Sequence, residues 1–195
     1  MKKMIAVTGG IGSGKSSVLA CLAEMGYPIF SCDEIYKEVI QSPAYLQKIS
    51  EVFPQCIIEG KIDKKILAKI VFQNKEKLAI LNGIAHPLIM DSLFKSMHIC
   101  ESALVFAEVP LLFEGNYENQ FDKVIVVLRD KEERVRSIMA RDNVTQEDAL
   151  NRIAVQFDYD NAENRFKNCN AILIKNNGSF FDLKSKISII VKQLL

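Results

Sequence analysis

The chain has 195 residues, 49% of them hydrophobic, enough for one domain with a sizeable core. With 25 Lys and Arg against 24 Asp and Glu, the net charge of +1 excludes a broad nucleic-acid-binding face over the whole chain. No apolar run approaches the ~20 residues a membrane helix needs; Met1-Lys2-Lys3 imitates the start of a secretion signal, but the apolar run after it breaks at Gly9-Gly10.

From the N-terminus, Met4-Ile5-Ala6-Val7 reads as a buried strand within 4–8. It runs into Gly9-Gly10-Ile11-Gly12-Ser13-Gly14-Lys15-Ser16, a match to G-x-x-x-x-G-K-[ST], and Ser17 to Met25 reads as an amphipathic helix leaving the loop. Strand, glycine loop and helix in this order form a phosphate cradle. Backbone N–H groups and the helix N-terminus converge on one anion, and the helix dipole favours negative charge there. Gly10, Ile11, Gly12, Ser13, Gly14, Lys15, Ser16 and Ser17 are therefore the predicted phosphate-binding residues. Lys15 reaches the β- and γ-phosphates, and the Ser16 hydroxyl suits Mg²⁺, so ATP and Mg²⁺ are the predicted cofactors.

Pro28-Ile29-Phe30-Ser31 reads as a second strand, at 28–31. Residues 34–100 hold no convincing strand and read as a helical insertion. Pro43, Pro54 and Pro87 punctuate it, because proline disfavours helix at the preceding residue. Further strands are predicted at 103–109, 123–128 and 171–174, and polar helices at 131–142 and 145–166. A C-terminal helix over 180–194 presents Leu183, Ile187, Ile190, Val191 and Leu194 as a core-facing stripe. Strands alternating with helices predict an α/β fold with a five-stranded parallel sheet. The five cysteines (21, 32, 56, 100 and 169) are scattered without a C-x-x-C pair, and read as reduced, space-filling residues.

Ligands of such sheets bind outside the carboxyl ends of the strands, which sorts the acids. Asp33 follows the second strand and falls at the edge that carries the glycine loop. Glu108 ends the run Leu104-Val105-Phe106-Ala107 and is the predicted Mg²⁺-orienting acid. Asp122 precedes its strand and is excluded. Asp33 is the candidate acceptor of a substrate hydroxyl proton, with helix N-capping as the alternative. Arg129, Arg134, Arg136 and Arg141 mark residues 129–157 as a predicted lid; the plain alternative is a solvated helix with pairs such as Glu132 with Arg136.

Together these segments resemble the dephospho-CoA kinase family. Thr8 to Ser16 is similar to that family's Thr-Gly-Gly-Ile-Gly-Ser-Gly-Lys-Ser signature. Leu81-Asn82-Gly83-Ile84-Ala85-His86-Pro87 resembles its Leu-Asn-x-Ile-x-His-Pro motif, and Pro110-Leu111-Leu112-Phe113-Glu114 its Pro-Leu-Leu-Phe-Glu stretch. Arg141-Asp142, then Arg152-Ile153-Ala154-Val155-Gln156, then Asn176-Asn177-Gly178-Ser179 follow in family order, so the likeness spans essentially the whole chain.

The resemblance implies a P-loop NTPase-like core (1–33 and 101–195), a helical substrate-binding insertion (34–100) and a helical lid (about 129–157). It implies ATP-dependent phosphorylation of the ribose 3′-hydroxyl of dephospho-CoA in the cytoplasm, without nucleic-acid or membrane partners, by a monomer or small homo-oligomer. Asp33, Lys15 and Arg141 are the implied catalytic residues, with Arg141 and Asn176 also near the nucleotide and His86 in the substrate-binding part. Ser31-Cys32-Asp33 departs from the family's Asp-Ala-Asp, Glu108 replaces an Asp, and Ser137 replaces a frequent arginine. Another nucleoside or nucleotide kinase is the nearest alternative. A guanine-reading switch is the more distant one, since Lys175-Asn176-Asn177-Gly178 does not supply Asn-Lys-x-Asp.

Overall fold

The computed structural model describes residues 2–72 and 74–195. The chain divides into two compact units, one made of Met1–Phe30 with Cys100–Leu195, the other of Ser31–Ile99. In chain order the first unit opens with β1 (Lys3–Thr8), α1 (Lys15–Glu24) and β2 (Ile29–Ser31, whose last residue is assigned to the second unit). β1 is fully buried from Ile5 to Thr8, as a strand must be when other strands flank it and helices cover its faces.

The second unit is helical. It contains α2 (Cys32–Val39), α3 (Pro43–Val52), a hairpin of β3 (Ile57–Ile58) and β4 (Lys61–Ile62), α4 (Lys64–Phe72) and α5 (Lys75–Ile99). Short polar side chains set the helix starts by accepting otherwise orphaned backbone N–H groups. Ser42 Oγ takes the N–H of Tyr45 at 3.2 Å, Asp63 Oδ1 takes those of Lys65 and Ile66, and Asn74 Oδ1 takes those of Glu76 and Lys77. Two features differ from the sequence reading. The β3–β4 hairpin lies where no strand is predicted; it turns on Glu59 and Gly60, both left-handed at φ 49° and 74°, the two-residue geometry that matches strand twist. Pro87 does not interrupt α5, which runs through it for 25 residues. The carbonyl that proline cannot serve belongs to Gly83, and burial of Ala85, Ile89, Met90, Leu93 and Met97 along the same helix offsets the lost bond.

The first unit resumes with β5 (Leu104–Glu108), β6 (Lys123–Leu128), α6 (Lys131–Asp142), α7 (Gln146–Ala154), α8 (Glu163–Asn168), β7 (Ile172–Lys175) and α9 (Phe180–Leu194). The five-stranded parallel sheet has the order β2-β5-β1-β6-β7, with Val7 opposite Glu108 on one side and Ile125 on the other. α1 and α9 pack together, and the predicted stripe of α9 enters the core with Val18, Cys21 and Leu22. Thr145 with Asp148, and Ser179 with Asp182, form capping boxes that start α7 and α9.

The helix predicted over 145–166 breaks after Ala154 and resumes at Glu163. In the gap Phe157 stacks on Phe113 at 4.8 Å between centroids, and Tyr159 meets the same ring edge-on at 6.0 Å. Such aromatic pairs contribute about 0.5–1.5 kcal/mol each beyond their burial, more than a turn of polar helix offers. No disulfide joins any of the five cysteines. Among the described residues no helix is long and apolar enough to cross a membrane.

Candidate active site

The glycine loop joins the C-terminal end of β1 to α1. Gly12 at φ 78° and Gly14 at φ 92° are left-handed, a conformation that taxes any side chain bearing a Cβ. Gly14 is the residue before the helix, so no side chain caps its N-terminus, the end of a helix that favours an anion. Lys15 folds back over the loop, its Nζ donating to the carbonyls of Gly9 at 2.8 Å and Gly10 at 3.3 Å. Ser13 is buried, and among the described residues its Oγ has no hydrogen-bond partner. Ser16, in the first turn of α1, is exposed.

Neighbouring strands bring further groups to this end of the sheet. Glu108 is the last residue of β5, half-buried and opposite Val7, one strand from the root of the loop. Asn176 follows β7; its N–H donates to Leu128 O at 2.8 Å and its Nδ2 to Ser13 O at 2.9 Å, which brings it onto the loop. Asp122 lies at the opposite end, exchanging bonds with Met4 through its own N–H at 3.0 Å and its Oδ2 at 2.7 Å. It pins the start of β1 and stands outside the site.

Of the four arginines, the loop is met by Arg134. Its side chain is buried beneath Gly10, where a Cβ would strike the guanidinium, and its backbone lies against Gly12, where a Cβ would strike the Arg134 carbonyl. Nε donates to Ile11 O at 3.1 Å, and Nη1 faces Asp160 at 3.7 Å. Burial lowers the Arg134 pKa and the Asp160 carboxylate raises it; guanidinium remains charged throughout the physiological range. Arg141 is exposed and forks onto Asp142 at 2.7 and 2.9 Å, an arrangement that raises its pKa. Arg152 joins the same carboxylate at 2.6 Å, and the two arginines hold Asp142 below the usual carboxylate range. The expected Glu132–Arg136 pair is not formed: Glu133 lies one turn from both Arg129 and Arg136 and takes both.

Two other contacts on the loop were not assigned a role by the sequence reading. Gln156 Oε1 accepts the Ile11 N–H at 2.7 Å, and the Tyr159 hydroxyl bonds Thr8 Oγ1 at 3.0 Å. Burial pushes the Tyr159 pKa up to about 12, so the phenol stays protonated. Arg134 did carry a signal: it lies four residues from the fully buried Ile138, on the apolar face of α6.

In the second unit, Asp33 stands exposed in the first turn of α2, two residues beyond β2. Ser31 is the residue before that helix, so Asp33 is not its N-cap and the capping alternative falls. A carboxylate in a first helical turn is favoured by the dipole. His86 lies half-buried in α5, and desolvation lowers its pKa, favouring neutral imidazole. The same unit holds a cavity of about 540 Å³ walled by Tyr36, Ile40, Tyr45, Leu67, Val71 and Leu78, with Lys61 and Lys64 also lining it. Tyr36 in α2 and Ile40, the residue that caps its C-terminus, follow Asp33 by three and seven residues, on one helix face.

The family model for dephospho-CoA kinase matches residues 3–182. A dephospho-CoA kinase of Fusobacterium nucleatum is 36% identical over 186 residues, covering 94% of either chain. The solved dephospho-CoA kinase of Campylobacter jejuni superposes with a TM-score of 0.69 at 32% identity, over 100% of this chain and 98% of that one. Shikimate kinase of Acinetobacter baumannii shares the fold alone, at 15% identity and a TM-score of 0.55 over 99% and 94% of the two chains. Glycine loop, parallel sheet and near-complete coverage agree: the chain belongs to the dephospho-CoA kinase family.

Proposed function

We propose that the chain transfers the γ-phosphoryl group of ATP to the ribose 3′-hydroxyl of dephospho-CoA, giving CoA and ADP. The observation that carries this reading is the family match along residues 3–182 in a chain whose Gly9–Ser16 loop is built as an anion cradle. Phosphoryl transfer needs positioning and charge stabilisation more than covalent help. The amides of Gly10, Gly12, Gly14, Lys15 and Ser16 supply the loop's donors in this reading, while those of Ile11, Ser13 and Ser17 are held within the protein. Lys15 exchanges its carbonyl partners for phosphate oxygens, and Asn176 braces the loop at Ser13. Arg141 is assigned to the nucleotide, a role that requires it to leave the exposed pair with Asp142. Asp33 accepts the proton of the attacking hydroxyl, the work of an ordinary ionised carboxylate.

The donors of the first unit fit Mg²⁺. Among the described residues no cluster of three or more His, Cys, Asp or Glu forms a cage, and Mg²⁺ is usually held by one or two protein oxygens with phosphates and water. Ser16 and Glu108 are hard oxygen donors of that kind. When bound, the ion neutralises charge on the phosphates. The insertion is assigned to the remainder of the substrate. Its cavity offers apolar walls to a pantetheine arm and lysines to a pyrophosphate, on the α2 face that carries Asp33, and His86 belongs to the same unit. A cytoplasmic location fits this metabolic reading.

Incubation with ATP and Mg²⁺ tests the reaction: one phosphate is added to dephospho-CoA, by mass, in preference to nucleosides, nucleoside monophosphates and shikimate. Preference for another acceptor refutes the assignment. Amide-exchange protection on adding CoA should appear within residues 34–100, and protection confined to the sheet would remove the arm from the insertion.

A further inference from the structure

Ile11, the third residue of the glycine loop, is held in three independent ways. Its N–H donates to Gln156 Oε1 at 2.7 Å, and its carbonyl accepts from Arg134 Nε at 3.1 Å. Its side chain packs on a small core of Val135 and Ile138 from α6 and Ala149 from α7, beside Leu150 and Ile153. Gln156 comes just after α7, in the segment whose helix is broken by aromatic burial. That segment is itself anchored on both sides of the glutamine's reach. The next N–H, of Phe157, donates to Glu114 Oε1 at 3.0 Å, while Phe157 stacks on Phe113 and Tyr159 bonds Thr8 at the end of β1.

A glutamine carbonyl on a backbone N–H satisfies a donor that would otherwise be costly to bury. Here the donor sits within a loop whose amides must be aimed before an anion arrives, because donors fixed in advance avoid the cost of reorganisation. Gln156 itself is fixed in the chain by the bonded and stacked residue that follows it. We propose that Gln156 is a positioning residue: acting through Ile11, it holds the glycine loop in register with α6 and α7, so that nucleotide affinity depends on it and acceptor affinity does not. This rests on the reading above that the loop takes the phosphates of a nucleotide.

The test compares the full-length protein with Gln156→Leu, which removes the acceptor, and Gln156→Asn, which keeps an amide one methylene short. ADP affinity by calorimetry weakens about 2- to 10-fold in both, the span of one net hydrogen bond. KM for ATP rises by the same factor while KM for dephospho-CoA stays at the parent value, a split that a purely structural role would not produce. Parent values for ADP affinity and KM for ATP in folded variants overturn the proposal, whatever happens to thermal stability. Should neither variant fold, hydrogen exchange in the unaltered protein decides: a protected Ile11 N–H supports the contact, and exchange at the rate of an open amide overturns it. If the parent binds ADP but leaves dephospho-CoA unphosphorylated, the assigned reaction fails while the ADP comparison still judges Gln156.

Discussion

Replacing Arg134 by methionine tests how the loop is supported. The substitution keeps a long side chain beneath Gly10 but removes the donor to Ile11 O, 3.1 Å away, and the charge of a residue that is 3% exposed. A hydrogen bond from a charged group contributes about 1.5–3 kcal/mol. The partner Asp160 is half exposed, so losing the 3.7 Å ion pair adds at most about 1 kcal/mol. Relief of the guanidinium's desolvation acts in the opposite direction. The hydrogen bond therefore sets an upper limit of about 3 kcal/mol of destabilisation, or about 12 °C in Tm for a chain of this length. Thermal unfolding with and without ADP reads it. Because the lost cation lies under an anion-binding loop, ADP should also stabilise the variant less than the parent. A variant as stable as the parent, with an equal ADP-induced shift, would mean that Arg134 is a passive filler and that the loop needs no support from α6.

Asp33→Asn should leave ATP binding near the parent value and lower turnover at least ~10²-fold, the range of general-base assistance; unchanged turnover removes Asp33 from the chemistry. Lys15→Ala should weaken both nucleotide binding, by calorimetry, and kcat, since its ammonium is the charge already folded over the loop. His86 should make stability depend on pH. Its folded pKa lies below the unfolded 6.5, so the unfolded chain binds more protons as pH falls through that value, and stability contributed at neutral pH is lost on acidification. His86→Leu should flatten the fall in the denaturant midpoint between about pH 7 and 5, and an unchanged slope would show that His86 is not its source.

What could be read from the chain alone was local. Strand, loop and helix at Met4–Met25 are contiguous, so glycine placement and hydrophobic period specify the cradle without any distant partner. The same locality excluded Asp122, because order along a strand decides which sheet edge a residue meets. Gly83 and the buried face of α5 carried the helix through Pro87 against a local rule, since burial along 25 residues outweighs one missing bond. The supports of the loop came from far away: Arg134 lies 123 residues from its partner Ile11, Gln156 145, and Tyr159 151 from Thr8. No sequence period encodes such pairs. They exist because the sheet sets β6 beside β1 and the Phe113 cluster stops a helix at Ala154, and both depend on packing between segments that share no local pattern.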